Sequence, residues 1–139
     1  MRRILFVCML MLVAVGTQAQ AYQSPVAFIP ERAMVGKKLT VTYNTELTEL
    51  KGARAVDMVA YFWYDYRWTA IDAPMIKSGN LWMSVIDIPT DAALLTLKFV
   101  ADDKVDIGGR NTYSQFTVDS LGRNLPSSYL GWGLFRGKY

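Results

Sequence analysis

Residues 55–64 read AVDMVAYFWY, and this stretch decides the fold class of the chain. Every second residue from position 56 to position 62 is apolar, whereas Asp57 has the opposite parity. A period of two, filled with valine and aromatic residues, is typical of a β-strand with one buried face. The core face of this strand is therefore predicted to carry Val56, Met58, Ala60 and Phe62.

The same period recurs through most of the chain. Further strands are predicted at Val26–Ile29, Lys38–Tyr43, 67–71, 81–88, Leu94–Ala101 and 112–119. Turn residues such as those at 78–80 separate them, and no stretch has the 3.6-residue period of a helix. Six or seven short strands of this kind predict an all-β fold, an immunoglobulin-like antiparallel β-sandwich. A small barrel is the alternative.

The first 21 residues have the three-part order of a cleavable secretory signal. Two arginines follow Met1, residues 4–15 are almost entirely apolar, and Ala19 and Ala21 form a small-residue cleavage site. The apolar run is too short for a membrane-spanning helix, which needs about 20 apolar residues. We therefore expect an exported protein, in the periplasm, at the cell surface or outside the cell, with no membrane span after cleavage.

Cleavage after Ala21 changes the composition. The full chain has 15 Lys plus Arg, 12 Asp plus Glu and a net charge of +3. Residues 22–139 keep 13 basic and 12 acidic side chains, so their net charge is +1, and the single cysteine, Cys8, is removed. A near-neutral domain without a basic run has no electrostatic reason to bind nucleic acid.

Residues 22–139 contain neither histidine nor cysteine. This excludes Ser–His and Cys–His nucleophilic pairs, imidazole acid–base catalysis and metal sites built on nitrogen or sulfur ligands. Gly108-Gly109 is an isolated glycine pair without the spacing of a nucleotide-binding loop. We therefore predict that the protein is not an enzyme and uses no cofactor, with calcium as the one ion to consider.

The segment 102–111 is rich in the oxygen ligands that calcium prefers. Its spacing is not that of an EF-hand, and Lys104 and Arg110 neutralise part of the charge, which favours a solvated polar loop. If calcium binds there, the predicted ligands are Asp102, Asp103, Asp106 and Asn111.

A cluster of aromatic residues occupies 61–68, and Trp82 follows in the next predicted hairpin. With Phe62 in the core, the period of two places Tyr61 and Trp63 on the outer face of the sheet. Trp82 is also predicted to face outward, because the core face of its strand is assigned to Leu81, Met83 and Val85. Exposed flat rings can stack against sugars, so the candidate ligand-binding residues are Tyr61, Trp63 and Trp82. The alternative is that these rings only pack across strands.

The segment 125–139 is apolar but contains three glycines that weaken a helix or a strand. Two interpretations remain open: the segment folds back over a sheet edge, or it is the beginning of a longer continuation. The chain is thus divided into a signal peptide at 1–21, a sandwich domain at 22–124 and this C-terminal segment at 125–139.

A series of short motifs between positions 36 and 119 resembles a known domain. They are Leu39-Thr40-Val41-Thr42-Tyr43-Asn44, Leu50-Lys51-Gly52-Ala53, Gly79-Asn80-Leu81-Trp82, Ile88-Pro89, Lys98-Phe99-Val100 and Asp103-Lys104-Val105-Asp106. Their order resembles the N-terminal immunoglobulin-like domain of secreted thioredoxin-like, disulfide-reductase-type proteins of the Bacteroidota, and is similar in outline to starch-binding-type carbohydrate modules. Because no thioredoxin domain and no CxxC motif are present, the resemblance implies an accessory domain without redox activity.

These observations predict an exported, non-catalytic accessory or protein-interaction domain of the bacterial cell envelope. Its expected partner is a protein or a neighbouring domain. The alternative function is that of a carbohydrate-binding module that stacks a glycan on surface tryptophan and tyrosine rings.

Overall fold

The computed structural model describes residues 23–137, without the side chain of Asn111. The predicted signal peptide and its cleavage site lie outside these residues. The strands are β1 (Val26–Ile29), β2 (Lys38–Tyr43), β3 (Asp57–Tyr64), β4 (Arg67–Pro74), β5 (Ile76–Ser78), β6 (Leu81–Asp87), β7 (Leu94–Ala101), β8 (Lys104–Asp106) and β9 (Tyr113–Phe116). One α-helix, α1 (Ser128–Arg136), follows them, and short 3-10 helices lie at Thr45–Leu47 and Gly109–Asn111.

The strands form two antiparallel sheets. The four-stranded sheet has the order β1-β2-β6-β5, so the predicted strand Val26–Ile29 is confirmed and forms one edge of this sheet. In the five-stranded sheet β4, β3 and β7 are neighbours, and β8 and β9 both pair with β7. The chain passes from one sheet to the other at Met75, between the end of β4 and the beginning of β5. The predicted all-β antiparallel sandwich is confirmed.

The hydrophobic core lies between the two sheets. Its most deeply buried members include Leu39, Val41 and Tyr43 from β2, Phe62 from β3, and Leu95, Leu97 and Phe99 from β7. The predicted core face of 55–64 is confirmed, because Val56, Met58, Ala60 and Phe62 are each at most 1% exposed. Burial of one large apolar side chain contributes about 1.5–3 kcal/mol, so this alternating pattern stabilises the sandwich directly.

The predicted facing of strand 81–88 is wrong. Trp82 and Ile86 point into the core with 4% of their surface exposed, whereas Val85 is 54% exposed. The cause is the pairing register with β2, in which Tyr43 lies opposite Trp82 and Leu39 lies opposite Ile86. Residues directly opposite one another project to the same face of a sheet, so the inward side chains of β2 fix the inward side chains of β6.

The sequence predicts no helix, and this prediction is also wrong, because α1 spans Ser128–Arg136. So short a helix is marginal in isolation, and packing must hold it. It lies over Trp63 and Leu94 on the outer face of the five-stranded sheet, where Trp132 packs against the cluster that these two residues form with Ala93. The hydroxyl of Ser128 also donates to the backbone oxygen of Ala93 at 2.8 Å. Residues 125–137 therefore fold back onto the sandwich, as one of the two interpretations held, but they cover the face of a sheet and not its edge.

No helix within residues 23–137 combines the length and the apolar character that crossing a bilayer requires.

Candidate interaction surfaces

The predicted aromatic platform is not formed. Tyr61 and Trp63 do lie on the outer face of β3, as predicted, but α1 covers Trp63 and leaves it 4% exposed. Trp82 is 4% exposed in the core between the sheets. The three rings therefore share no exposed face, and the prediction that they form a sugar-stacking surface is wrong in its geometry.

Asp102, Asp103 and Asp106, the three predicted calcium ligands whose side chains are described, do not form a metal site either. Asp102 and Asp103 are exposed in the tight turn that joins β7 to β8, while Asp106 lies two positions beyond Lys104, opposite Phe99. The side chain of Asn111 lies outside the described part of the chain. Among the described residues, no group of three or more acidic, histidine or cysteine side chains is placed to hold a metal ion.

Asp106 is instead the centre of a hydrogen-bond network. Its Oδ2 accepts from the hydroxyls of Tyr43 at 2.7 Å and Tyr113 at 2.8 Å, and its Oδ1 accepts from the backbone N–H of Gly108 at 2.8 Å. Burial is the main reason that the pKa of Tyr43 lies above its ordinary value of 10.0. The bond to the Asp106 carboxylate raises that pKa further, whereas the bond between Tyr43 and Thr48 lowers it. The carboxylate thus joins β2, β8 and β9.

A broad apolar surface lies on the outer side of the four-stranded sheet. Strand pairing aligns Ile29, Thr40 and Val85 in one row across the sheet. The next row contains Thr42, Met83 and Ile76. The outer sheet face, as we name this surface, consists of Ile29, Thr40, Thr42, Ile76, Leu81, Met83 and Val85.

The outer sheet face is apolar and accessible. Ile76 is 76%, Ile29 60% and Val85 54% exposed, and no member of the face carries a charge. At one end Lys38 and Asp87 lie opposite each other and form a salt bridge of 3.0 Å. The two charges neutralise each other, so this end of the face carries no net charge.

A second surface is a groove on the opposite side of the sandwich, with a volume of about 970 Å³. It lies between the outer face of the five-stranded sheet, the C-terminal end of α1 and the segment 107–112. We name it the basic groove, and define it by three rings and three cations: Tyr61, Trp68, Phe135, Lys98, Arg110 and Arg136.

Packing fixes the main side chains of the basic groove. The rings of Trp68 and Phe135 lie 5.7 Å apart, centroid to centroid, which joins β4 to α1. Lys98 Nζ lies 5.6 Å from the centroid of the Tyr61 ring. Arg136 donates from Nη1 to the backbone oxygen of Arg110 at 2.8 Å. The groove therefore has one wall on the sheet and one on the helix.

Sequence reasoning identified neither surface. The sequence does contain a signal for the outer sheet face, because residues 81–88 are apolar at both parities. The sequence-based prediction assigns Leu81, Met83 and Val85 to the core, however, whereas the structure places them on this outer face. Two rings of the basic groove, Tyr61 and Trp68, belong to the aromatic cluster at 61–68, but its cations had no local signal, because the lining residues are spread over positions 61–136 and only the fold brings them together.

The fold and these surfaces define a two-sheet antiparallel β-sandwich with a C-terminal helix packed on one sheet. Comparison of the chain with protein-family models, with curated proteins and with solved structures finds no match. The resemblance to the N-terminal domain of thioredoxin-like proteins and to starch-binding-type modules therefore stays a prediction.

Proposed function

We propose that this protein is an exported, non-catalytic accessory domain that binds another protein through its outer sheet face. The observation that carries the proposal is the two-sided apolar character of β6. Trp82 and Ile86 fill the core, and the residues between them supply Met83 and Val85 to the outside. An antiparallel sheet with one solvated face normally alternates apolar with polar residues, so a strand that is apolar on both faces indicates burial on both.

The composition of the outer sheet face specifies the partner. Monomeric soluble proteins rarely expose large contiguous apolar patches, and such patches mark interaction sites. Because the face carries threonine hydroxyls but no charge, its partner is expected to present an apolar, uncharged surface of its own. The signal-like sequence at 1–21 supports a location in the cell envelope, and the resemblance to an accessory domain supports a partner protein there.

Site-specific photo-crosslinking tests this proposal. A benzophenone amino acid placed at position 76 or 85 in the producing cells is expected to give one discrete adduct with another protein. The same label at Tyr66 or Leu121, which are 75% and 72% exposed but lie outside the face, is expected to give none. Adducts of equal yield at all four positions, no adduct at all, or an adduct with a second copy of this chain would each contradict the proposal.

A charge substitution separates docking from folding. With the label at position 76, Val85→Glu is expected to abolish the adduct, because docking would bury an unpaired carboxylate. Val85→Thr keeps a branched, uncharged side chain and is expected to retain it. Both variants should stay within about 0.5 kcal/mol of the parent in free energy of unfolding, since position 85 is exposed in the isolated domain. An undiminished adduct in Val85→Glu would show that the face does not dock.

A further inference from the structure

We infer that the basic groove is a second binding site, and that its ligand is a short acidic peptide segment with an apolar or aromatic side chain between its carboxylates. The groove and the outer sheet face lie on opposite sides of the sandwich. The inference is therefore independent of the docking proposed above, and the domain would hold two partners at once.

Positive charge is concentrated in the basic groove. Residues 22–139 carry almost equal numbers of basic and acidic side chains, yet Lys98, Arg110 and Arg136 all line this groove, and none of the described residues that line it is acidic. Four other cations of the domain are paired, such as Lys51 with Glu46 at 2.9 Å and Arg123 with Asp119 at 2.9 Å, whereas the rest of the described cations are scattered over the surface without a salt bridge. Within residues 23–137, none of the three groove cations forms a salt bridge.

Two of the three groove cations are positioned by neighbours that do not neutralise them. Lys98 lies against the ring of Tyr61, and Arg136 is held by a backbone oxygen and by the Trp132 ring, 5.4 Å from its guanidinium carbon. Cation–π contacts and carbonyl bonds orient a charged group and leave its charge available. Because guanidinium and ammonium groups form their strongest hydrogen bonds with carboxylates and phosphates, the ligand is expected to be an anion.

The lining of the basic groove favours a peptide over a glycan. Most of the remaining lining is apolar or aromatic, with Leu97, Ile107 and Phe135 among its members, and its hydroxyls belong to two threonines and Tyr61. The described lining residues include no aspartate, glutamate, asparagine or glutamine, so these three hydroxyls are the side-chain acceptors that they offer to sugar hydroxyl groups. A volume of about 970 Å³ is within the usual range of ligand sites and holds a few residues of extended chain.

The test uses two synthetic peptides, acetyl-Glu-Glu-Phe-Glu-Glu-amide and its counterpart with glutamine in place of every glutamate. Residues 22–139 are titrated with each at low ionic strength, and binding is measured by calorimetry and by tryptophan fluorescence, to which Trp68 in the groove contributes. The acidic peptide is expected to saturate with a dissociation constant below about 1 mM and to bind at least tenfold more tightly than its counterpart. Absence of saturable binding by the acidic peptide would overturn the inference.

Charge variants locate the site. Lys98→Gln and Arg136→Gln are each expected to weaken binding of the acidic peptide by about tenfold, the effect of one charge-assisted hydrogen bond. Lys51→Gln removes the same unit of charge away from the groove and is expected to change the affinity less than twofold. Equal weakening by all three variants would indicate general charge attraction and would overturn the inference.

Two competitors separate the sources of anionic charge. Inorganic phosphate and oligogalacturonate present the same kind of charge without a peptide backbone or an apolar side chain. Both are expected to displace the acidic peptide only at concentrations at least tenfold above its dissociation constant. Tighter binding of oligogalacturonate than of the peptide would replace the inferred ligand with an acidic glycan, and tighter binding of phosphate would replace it with a phosphorylated one.

Discussion

Gly131→Ala is expected to destabilise the protein by about 1–3 kcal/mol, the cost of overpacking a filled site. A Cβ atom at this position would lie 2.6 Å from Nε1 and 2.7 Å from Cγ of Trp63. Trp63 is buried beneath α1 and has little room to move away. In an isolated helix the same change would stabilise by about 1 kcal/mol, so the sign of the effect distinguishes a docked helix from a free one.

The matched control is Gly133→Ala, two positions further along the same helix. A Cβ at Gly133 would meet no atom within 4 Å. This variant is therefore expected to stabilise the protein by about 0.5–1 kcal/mol through helix propensity alone. Urea unfolding followed by tryptophan fluorescence measures both variants. If both raise the stability by similar amounts, α1 does not pack on Trp63 in solution.

Asp106→Ala is expected to cost about 2–4 kcal/mol in free energy of unfolding. The substitution removes the carboxylate acceptor from the buried hydroxyl of Tyr43, and it also breaks the bond from Tyr113. A hydrogen bond to a charged group contributes about 1.5–3 kcal/mol, and the Tyr43 hydroxyl keeps Thr48 Oγ1, at 2.8 Å, as a weaker neutral acceptor. Asp106→Asn keeps an acceptor oxygen and is expected to lose about half as much.

Asp103→Ala provides the control for this network. Asp103 is exposed in the neighbouring turn, so its removal is expected to change the free energy of unfolding by less than about 0.5 kcal/mol. The comparison also tests the predicted calcium loop. If Asp102, Asp103 and Asp106 bound one calcium ion together, Asp103→Ala would lower the free energy of unfolding about as much as Asp106→Ala. Equal losses in Asp103→Ala and Asp106→Ala, in the presence of calcium only, would restore the calcium interpretation.

The sequence predicts β3 and its core face because one parity is apolar and the other contains Asp57. No such contrast exists in β6, where both parities are apolar and only the register against β2 decides which side faces the core. The predicted strand 67–71 is shorter than β4, which spans Arg67–Pro74, for a related reason. Residues Thr69 to Asp72 are half-buried or exposed, so this part of the sequence has no clear alternation of apolar and polar residues.

The helix and the Asp106 network depend on contacts that are distant in the chain. Two glycines lower the helix propensity of Ser128–Arg136, and Gly131 is required because Trp63 lies against it. The bond between Tyr43 and Asp106 joins residues 63 positions apart. Parity correctly placed Trp63 on the outer face of its sheet, but local sequence could not show that α1 covers it.

Oxidative footprinting of the outer sheet face is the most direct test of the proposed docking. Met83, Leu81 and Ile76 would be compared between the purified domain and the producing cells, with Tyr66 and Leu121 as exposed references away from the face. We expect the three face residues to be oxidised several-fold less in cells, and the two references to be oxidised equally in both samples. Equal oxidation of the face residues in cells and in the purified domain would show that this face stays open to solvent, contrary to the proposed function.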